Sequence, residues 1–154
     1  MAAWHPTFTP KIRIMETALN MSARSLQFYV IAKKWFSDLQ FYKIETAFFH
    51  SLIEDHFIHL TGAKYMPGLR QVNNDLLKLD RDIDETEGLL GGQIKHVELM
   101  AEDIIPEDTE AATITQVQLE YRITSLLHDY RQLKAELFKL VERVMRETWA
   151  GEQS

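Results

Sequence analysis

Apolar residues recur every three or four positions along two long stretches of the chain. Neither Lys11–Thr61 nor Glu107–Ala150 contains Gly or Pro. Such spacing over an unbroken stretch is typical of long helices that bury one face. The sequence therefore predicts helices packed side by side, with few of the loops on which catalytic sites are usually mounted.

The first long helix is expected over about residues 22–60. Its apolar positions form a heptad-like stripe, made of Phe28, Ile31, Trp35, Leu39, Tyr42, Thr46, Phe49, Ile53, His56 and Leu60. A second set widens the apolar surface beyond a two-stranded seam, namely Phe36, Phe41, Ile44, Phe48, Leu52 and Phe57. Thr61 and Gly62 predict a glycine cap at the end of this helix.

The residues before this helix leave two alternatives open. Met1–Pro10 has two prolines and is typical of an extended arm, whereas Ile12, Met15 and Leu19 indicate about two helical turns. Ser22 either caps a new helix or lies within a continuing one. We assign residues 1–20 to an N-terminal arm or short helix and residues 21–150 to a helical bundle.

Three glycines, Gly88, Gly91 and Gly92, interrupt the second helical pattern. The apolar phase continues across them in steps of three and four, whereas a loop would normally reset it. We therefore predict one helix over about residues 68–103, weakened by ~1 kcal/mol per glycine relative to Ala. Whether the glycines kink it stays open. A phosphate-binding loop is disfavoured, because no strand precedes the glycines and no Lys-Ser or Lys-Thr follows.

A third helix is expected over about residues 107–148, after Pro106, with a disordered tail at 151–154. Its apolar positions include a second row that is expected in the core, namely Leu127, Phe138, Val141, Met145 and Trp149. At ~1.5 Å per residue the three helices span roughly 58, 54 and 63 Å. Matched lengths and short connections favour antiparallel neighbours. We expect an all-α fold, an elongated antiparallel three-helix (up-down-up) coiled-coil bundle. The broad apolar surface of helix one needs further cover, from residues 1–20 or from a second copy.

Composition narrows the class of protein. The chain has 154 residues, of which 45% are hydrophobic, which is enough for one domain with its own core. Cysteine is absent, which excludes disulfides and thiolate chemistry and fits a cytoplasmic protein. The N-terminus lacks a signal-peptide pattern, and no apolar stretch approaches ~20 residues. We expect a cytoplasmic protein without a membrane span.

The charge is unevenly distributed, with a formal net charge of −6 for the whole chain. Residues 61–110 hold five Lys/Arg against twelve Asp/Glu, whereas binding to nucleic acid requires a basic face. We therefore expect no nucleic-acid partner. The acidic run Asp80–Glu87 is interpreted as a solvated helix face, and the alternative is a docking strip for a basic partner.

A metal site is the main chemical alternative. His50 and Glu54, and Asp55 and His59, share helical faces at i,i+4 spacing. The Glu-x-x-His motif of di-iron bundles is absent. Histidines on different predicted helices differ in level by roughly 10 Å, too far for one metal. The alternative hypothesis is a metal-binding bundle with His50, Glu54 and His59 as candidate ligands. Our leading expectation includes no metal or other cofactor. His56 is expected in the core.

No catalytic residues are predicted, because the serines lie on predicted helices without a nucleophile-elbow turn.

The pattern Trp35-x2-Asp38-Leu39-x-Phe41-Tyr42-Lys43-x-Glu45 resembles the first helix of small bacterial three-helix coiled-coil-like proteins to which no activity is attached. Trp35, Leu39 and Tyr42 are predicted core residues, and Lys43 and Glu45 are predicted to fix register through cross-helix partners. We expect a non-enzymatic bundle that acts through protein–protein contact, as a homo-oligomer.

Overall fold

The computed structural model describes residues 22–153. That part of the chain is all-helical, with 89% of its residues in helices and no strands. Residues 22–153 contain four helices, α1 (Ala23–Asp55), α2 (Phe57–Leu60), α3 (Met66–Ala101) and α4 (Thr109–Glu152). Each long helix packs against the other two, and α2 contacts α1 and α4. The arm or short helix predicted for residues 1–20 lies outside the described residues.

Side-chain caps fix where α1 and α4 begin. Ser22 precedes α1 in an extended conformation, and its Oγ accepts a hydrogen bond from the Ser25 amide at 3.3 Å. Ser22 therefore caps a new helix and does not lie within a continuing one. The Asp108 carboxylate accepts from the Ala111 amide at 3.0 Å, so α4 begins two residues later than predicted.

The first long helix is not continuous to residue 60, as the sequence predicts. It ends at Asp55, His56 forms a turn, and α2 follows. Gly62 does not adopt a positive φ, so the predicted glycine cap is wrong. Leu60, on α2 after the turn, is fully buried in the main core.

The second long helix is continuous across its glycines, as the apolar phase predicts. It ends at Ala101, two residues before the predicted end. The Ile104 amide donates to the Leu99 carbonyl at 3.0 Å and the Asp103 amide to that of Met100 at 3.2 Å. This is the Schellman pattern, with Asp103 (φ 56°) in the left-handed position that Gly usually occupies.

The third long helix extends beyond its predicted end at residue 148. It continues to Glu152, so the tail predicted from residue 151 does not begin there. Gly151 is helical and does not end the helix. None of the helices between residues 22 and 153 is long and apolar enough to cross a bilayer.

One long apolar core runs between the three long helices and includes Leu39, Phe49, Leu76, Leu90 and Leu137. A smaller cluster of Tyr29, Val97, Met100 and Ala112 lies where α1 begins. The predicted stripe is shifted there, because Tyr29 and Ala32 are buried while Phe28 and Ile31 are only half-buried. On α3, the apolar steps of three and four pass through Ile94, yet Gln93 is buried and Ile94 is half-buried, and Ile104 is exposed beyond the helix end.

Cross-helix contacts have a consistent order along the chain. Between α1 and α3, residues later in α1 contact residues earlier in α3, in the pairs Tyr29–Glu98, Lys43–Glu87 and His50–Asp80. The same holds from α3 to α4, in the pairs Lys78–Asp129 and Glu85–Arg122. From α1 to α4 both numbers rise, in the pairs Tyr42–Tyr130, Glu45–Lys134 and Phe49–Phe138.

Candidate interaction surface

The three predicted core residues of α1 differ in depth. Leu39 is fully buried, whereas Trp35 and Tyr42 are half-buried and pack against the main core. The Tyr42 ring lies 4.7 Å, centroid to centroid, from that of Tyr130 on α4. Burial and a neighbouring carboxylate raise the pKa of the Tyr42 hydroxyl.

Lys43 and Glu45 both have cross-helix partners. The Lys43 Nζ lies 2.6 Å from Glu87 Oε2, and the Glu45 Oε1 lies 3.4 Å from Lys134 Nζ. The hydrogen bond from Lys43, with a second from Gln40, lowers the pKa of Glu87, and the same contact raises the pKa of Lys43. Their role in register stays a prediction.

The acidic run Asp80–Glu87 has counter-charges on all three long helices. His50 lies 2.6 Å from Asp80, and Arg122 lies 3.2 Å from Glu85. Lys43 contacts Asp84 and Glu87, and Lys78 pairs with Asp82 one turn along α3. These side-chain contacts account for the acidic run within the chain, so it provides no evidence for a basic partner.

The metal candidates do not form a cluster. Between residues 22 and 153 the structure contains no group of three or more His, Cys, Asp or Glu side chains placed to hold a metal. His50 pairs with Asp80 on α3, Glu54 is exposed at the end of α1, and His59 lies on α2. The shared site suggested for these three residues is therefore not formed in this part of the chain.

His56 is half-buried at the turn after α1, and not in the core as predicted. It lines a groove of about 650 Å³ between the end of α1, α2 and the last third of α4. The other walls include Leu52, Phe138, Met145 and Trp149. The groove is apolar, with histidines and charged side chains at its edges.

Large exposed apolar side chains are concentrated away from α3. Of fifteen such residues, four lie on α1, two on α2 and six on α4, whereas α3 carries two and its following loop one. We define the outer face as those on α1, α2 and α4, namely Val30, Phe41, Ile44, Phe48, Phe57, Ile58, Ile114, Val117, Tyr121, Phe138, Met145 and Trp149.

The sequence indicated only half of this face. Surplus apolar surface on helix one follows from the second set of apolar positions, and Ile44 is indeed 70% exposed. The α4 part was missed, because Phe138, Met145 and Trp149 were interpreted as a second core row. Trp149 is 64% exposed. Ile114 and Tyr121, seven residues apart, were the available signal.

One polar cluster joins the α2–α3 connection to α4. The Glu147 carboxylate accepts hydrogen bonds from Lys64 at 2.8 Å, from Arg143 at 3.4 Å and from the Tyr65 hydroxyl. These donors, Lys64 first, lower the pKa of Glu147 to about 2. The cluster is exposed, and we assign it a structural role.

Comparison with protein-family models, curated proteins and solved structures found no match to this chain. The observed features therefore define its class. They are an all-α fold of packed helices, no metal-holding cluster in residues 22–153, and an extensive apolar outer face. The chain is a helical-bundle protein.

Proposed function

We propose that this protein is a non-enzymatic helical bundle that acts through protein–protein contact, with the outer face as its contact surface and a homo-oligomer as its working form. The observation that carries this proposal is the exposure of twelve large apolar side chains on α1, α2 and α4. Exposed apolar surface on that scale marks interaction sites in folded proteins.

We further propose the up-down-up coiled-coil arrangement of three long helices. In the α1–α3 and α3–α4 contacts, residue numbers rise along one helix and fall along the other, which supports this arrangement. In the α1–α4 contacts they rise along both helices, which supports it as well. In this arrangement α1 and α4 are parallel neighbours, and α3 covers the side of both that lies opposite the outer face.

The size of the outer face supports association. Its six aromatic side chains are 40–77% exposed, and a buried aromatic covers 150–250 Å², so they leave on the order of 600 Å² open. With the six aliphatic members the summed area exceeds the ~800 Å² that each partner contributes to a standard interface. The largest apolar patch on a typical monomer is ~300–600 Å².

The cytoplasmic location and the resemblance to small bacterial three-helix proteins remain part of the proposal. The absence of cysteine supports a reducing compartment. No nucleic-acid partner is proposed, because residues 61–110 are strongly acidic.

Paired substitutions test the contact surface. Phe41→Ser with Phe48→Ser removes two exposed rings from the centre of the outer face, and we expect it to weaken self-association in sedimentation-velocity experiments. The matched control is Leu77→Ser with Leu89→Ser, because both leucines are exposed large apolar residues on α3, outside the face. Equal effects of the two double variants, or no effect of either, would contradict the proposal.

A further inference from the structure

Two rows of exposed residues follow the outward side of α1, each with a spacing of seven, and the first row ends at Ile58 on α2, beyond the turn at His56. All nine residues are exposed. The first row is Val30, Ser37, Ile44, Ser51 and Ile58, and the second is Lys34, Phe41, Phe48 and Asp55. A seven-residue spacing keeps each row on one side of a helix, as in a coiled-coil seam.

The centres of symmetry of the two rows nearly coincide, the first at Ile44 and the second between Ile44 and Glu45. In the first row Ile44 is the midpoint, the serines lie seven residues to either side, and Val30 and Ile58 lie fourteen to either side. In the second row Phe41 and Phe48 lie three and four residues from Ile44. Lys34 lies ten residues before Ile44 and Asp55 eleven after it. Side chains of the same kind are thus equidistant from Ile44 in the first row and within one residue of equidistant in the second, where the end residues have opposite charges.

We propose that a second copy of this chain packs on the outer face with α1 antiparallel to α1, about a two-fold axis at Ile44. This inference rests on the proposed function and adds the direction and register of the contact. A two-fold contact is self-complementary, so each residue meets the residue equidistant from the axis. Antiparallel pairing therefore places Ile44 on Ile44, Phe41 within one residue of the level of Phe48, and Val30 at the level of Ile58 of the partner subunit.

The charges at the ends of the second row favour this direction. Lys34 is exposed and pairs with Asp38 of its own helix at 3.1 Å. In the antiparallel dimer it also meets Asp55 of the partner subunit, and the same contact occurs again at the other end. A parallel dimer would place Lys34 beside Lys34 and Asp55 beside Asp55. Juxtaposed like charges disfavour that arrangement.

The exposed rows of α4 have nearly the same centre. The Glu45–Lys134 contact places Ile44 at the level of about residue 133 on α4. Ile114 and Trp149, and Val117 and Met145, are equidistant from about residue 131, which is a difference of roughly 3 Å. Arg131 lies at that centre and would face its own copy, so we place the closest contact on α1, with the ends of α4 adding apolar cover.

Disulfide trapping tests the direction, because the chain has no cysteine of its own. In full-length protein under a glutathione redox buffer, we expect Ile44→Cys to form a covalent dimer. We expect Ser37→Cys to remain uncrosslinked alone, but to form a mixed dimer with Ser51→Cys. A disulfide requires Cα atoms within ~7 Å, so trapping reports register as well as contact.

The outcomes separate this inference from the proposed function. A dimer in which Ser37→Cys crosslinks with itself would overturn the antiparallel direction and leave self-association intact. A dimer that none of these cysteines traps would place the contact on another surface. A monomer at all concentrations, with no trapping, would overturn both.

A charge-reversal experiment tests the same contact without crosslinking. Lys34→Asp should weaken dimerisation roughly fivefold or more, which corresponds to ~1 kcal/mol. The double variant Lys34→Asp with Asp55→Lys should restore the dimer, because the opposite charges then meet again. If Lys34→Asp weakens dimerisation and the double variant does not restore it, the Lys34–Asp55 contact is contradicted.

Discussion

Lys43 and Glu45, two residues apart on α1, reach different neighbouring helices. Lys43 binds Glu87 on α3, and Glu45 binds Lys134 on α4. One turn of α1 is therefore tied by charge to both neighbours. A shift of α1 by one turn would break both ion pairs, which is the physical basis of the register role predicted for these residues.

Substituting Glu45→Gln tests that role. The Glu45 side chain is 17% exposed and that of Lys134 38%, so the pair is partly shielded from solvent. We expect the free energy of unfolding to fall by up to ~1 kcal/mol, measured by urea denaturation near neutral pH. Asp38→Asn is the control, because Asp38 pairs with Lys34 within α1. Unchanged thermal stability and oligomeric state for Glu45→Gln would refute a register role.

Phe48 and Phe49 are adjacent in sequence and should differ sharply in their contribution to stability. Phe49 is fully buried, and its ring lies 5.9 Å from that of Tyr130 and 6.1 Å from that of Phe138. Phe49→Ala should cost ~3–5 kcal/mol, because it leaves a cavity in the core. Phe48 is 51% exposed, so Phe48→Ala should cost far less at concentrations where the chain is monomeric. Similar losses for the two variants in chemical denaturation would show that the assignment of Phe49 to the core is wrong.

The glycines of α3 should be replaceable. A Cβ added at Gly91 meets no atom within 4 Å, and the backbone there is helical. Gly91→Ala should therefore stabilise the protein by ~0.5–1 kcal/mol and raise the Tm by a few degrees. At Gly68 the added Cβ would lie 3.2 Å from Leu140 Cδ1, so Gly68→Ala should stabilise the protein less than Gly91→Ala does. Destabilisation by Gly91→Ala, seen by calorimetry, would indicate a close approach or hinge at that glycine.

The Glu147 cluster predicts a pH-dependent contribution to stability. Its pKa of about 2 lies below the value of 4.5 for an unperturbed Glu, so folding favours the ionised carboxylate. That stabilisation is complete above about pH 4.5 and is lost as the pH falls towards 2. The Tm difference between wild type and Glu147→Gln should be largest near pH 6 and should close on acidification. Glu142→Gln, which removes a pair within α4, is the control. A difference that stays constant from pH 6 to pH 2 would contradict the cluster.

Periodicity predicted the long helices of this protein well because their length leaves many turns over which the phase is repeated. The continuity of α3 across Gly88, Gly91 and Gly92 is one example, since the apolar steps on either side outweigh the local cost of glycine. The turn at His56 was not predictable in this way. No Gly or Pro marks it, and the apolar residues continue past it to Leu60, which is fully buried.

Buried polar residues show a second limit of prediction from sequence. Gln93 occupies a core position because its amide donates to the Ala112 carbonyl at 2.9 Å and to the Gln116 side chain at 3.2 Å. Both partners lie on α4, and local sequence does not reveal them. The outer face was half predicted for a related reason. Helical spacing shows that apolar residues share one side of a helix, but not whether that side faces neighbouring helices or solvent. Trp149 was assigned to the core from its spacing alone.

The mass of the full-length protein in solution tests the central claim most directly. Light scattering coupled to size exclusion should give a species of twice the 18.0 kDa chain mass, with a concentration-dependent shift towards the monomer on dilution. Phe41→Ser with Phe48→Ser should move that equilibrium to the monomer, while Leu77→Ser with Leu89→Ser should leave it unchanged. A monodisperse species of 18.0 kDa at every concentration would contradict the account.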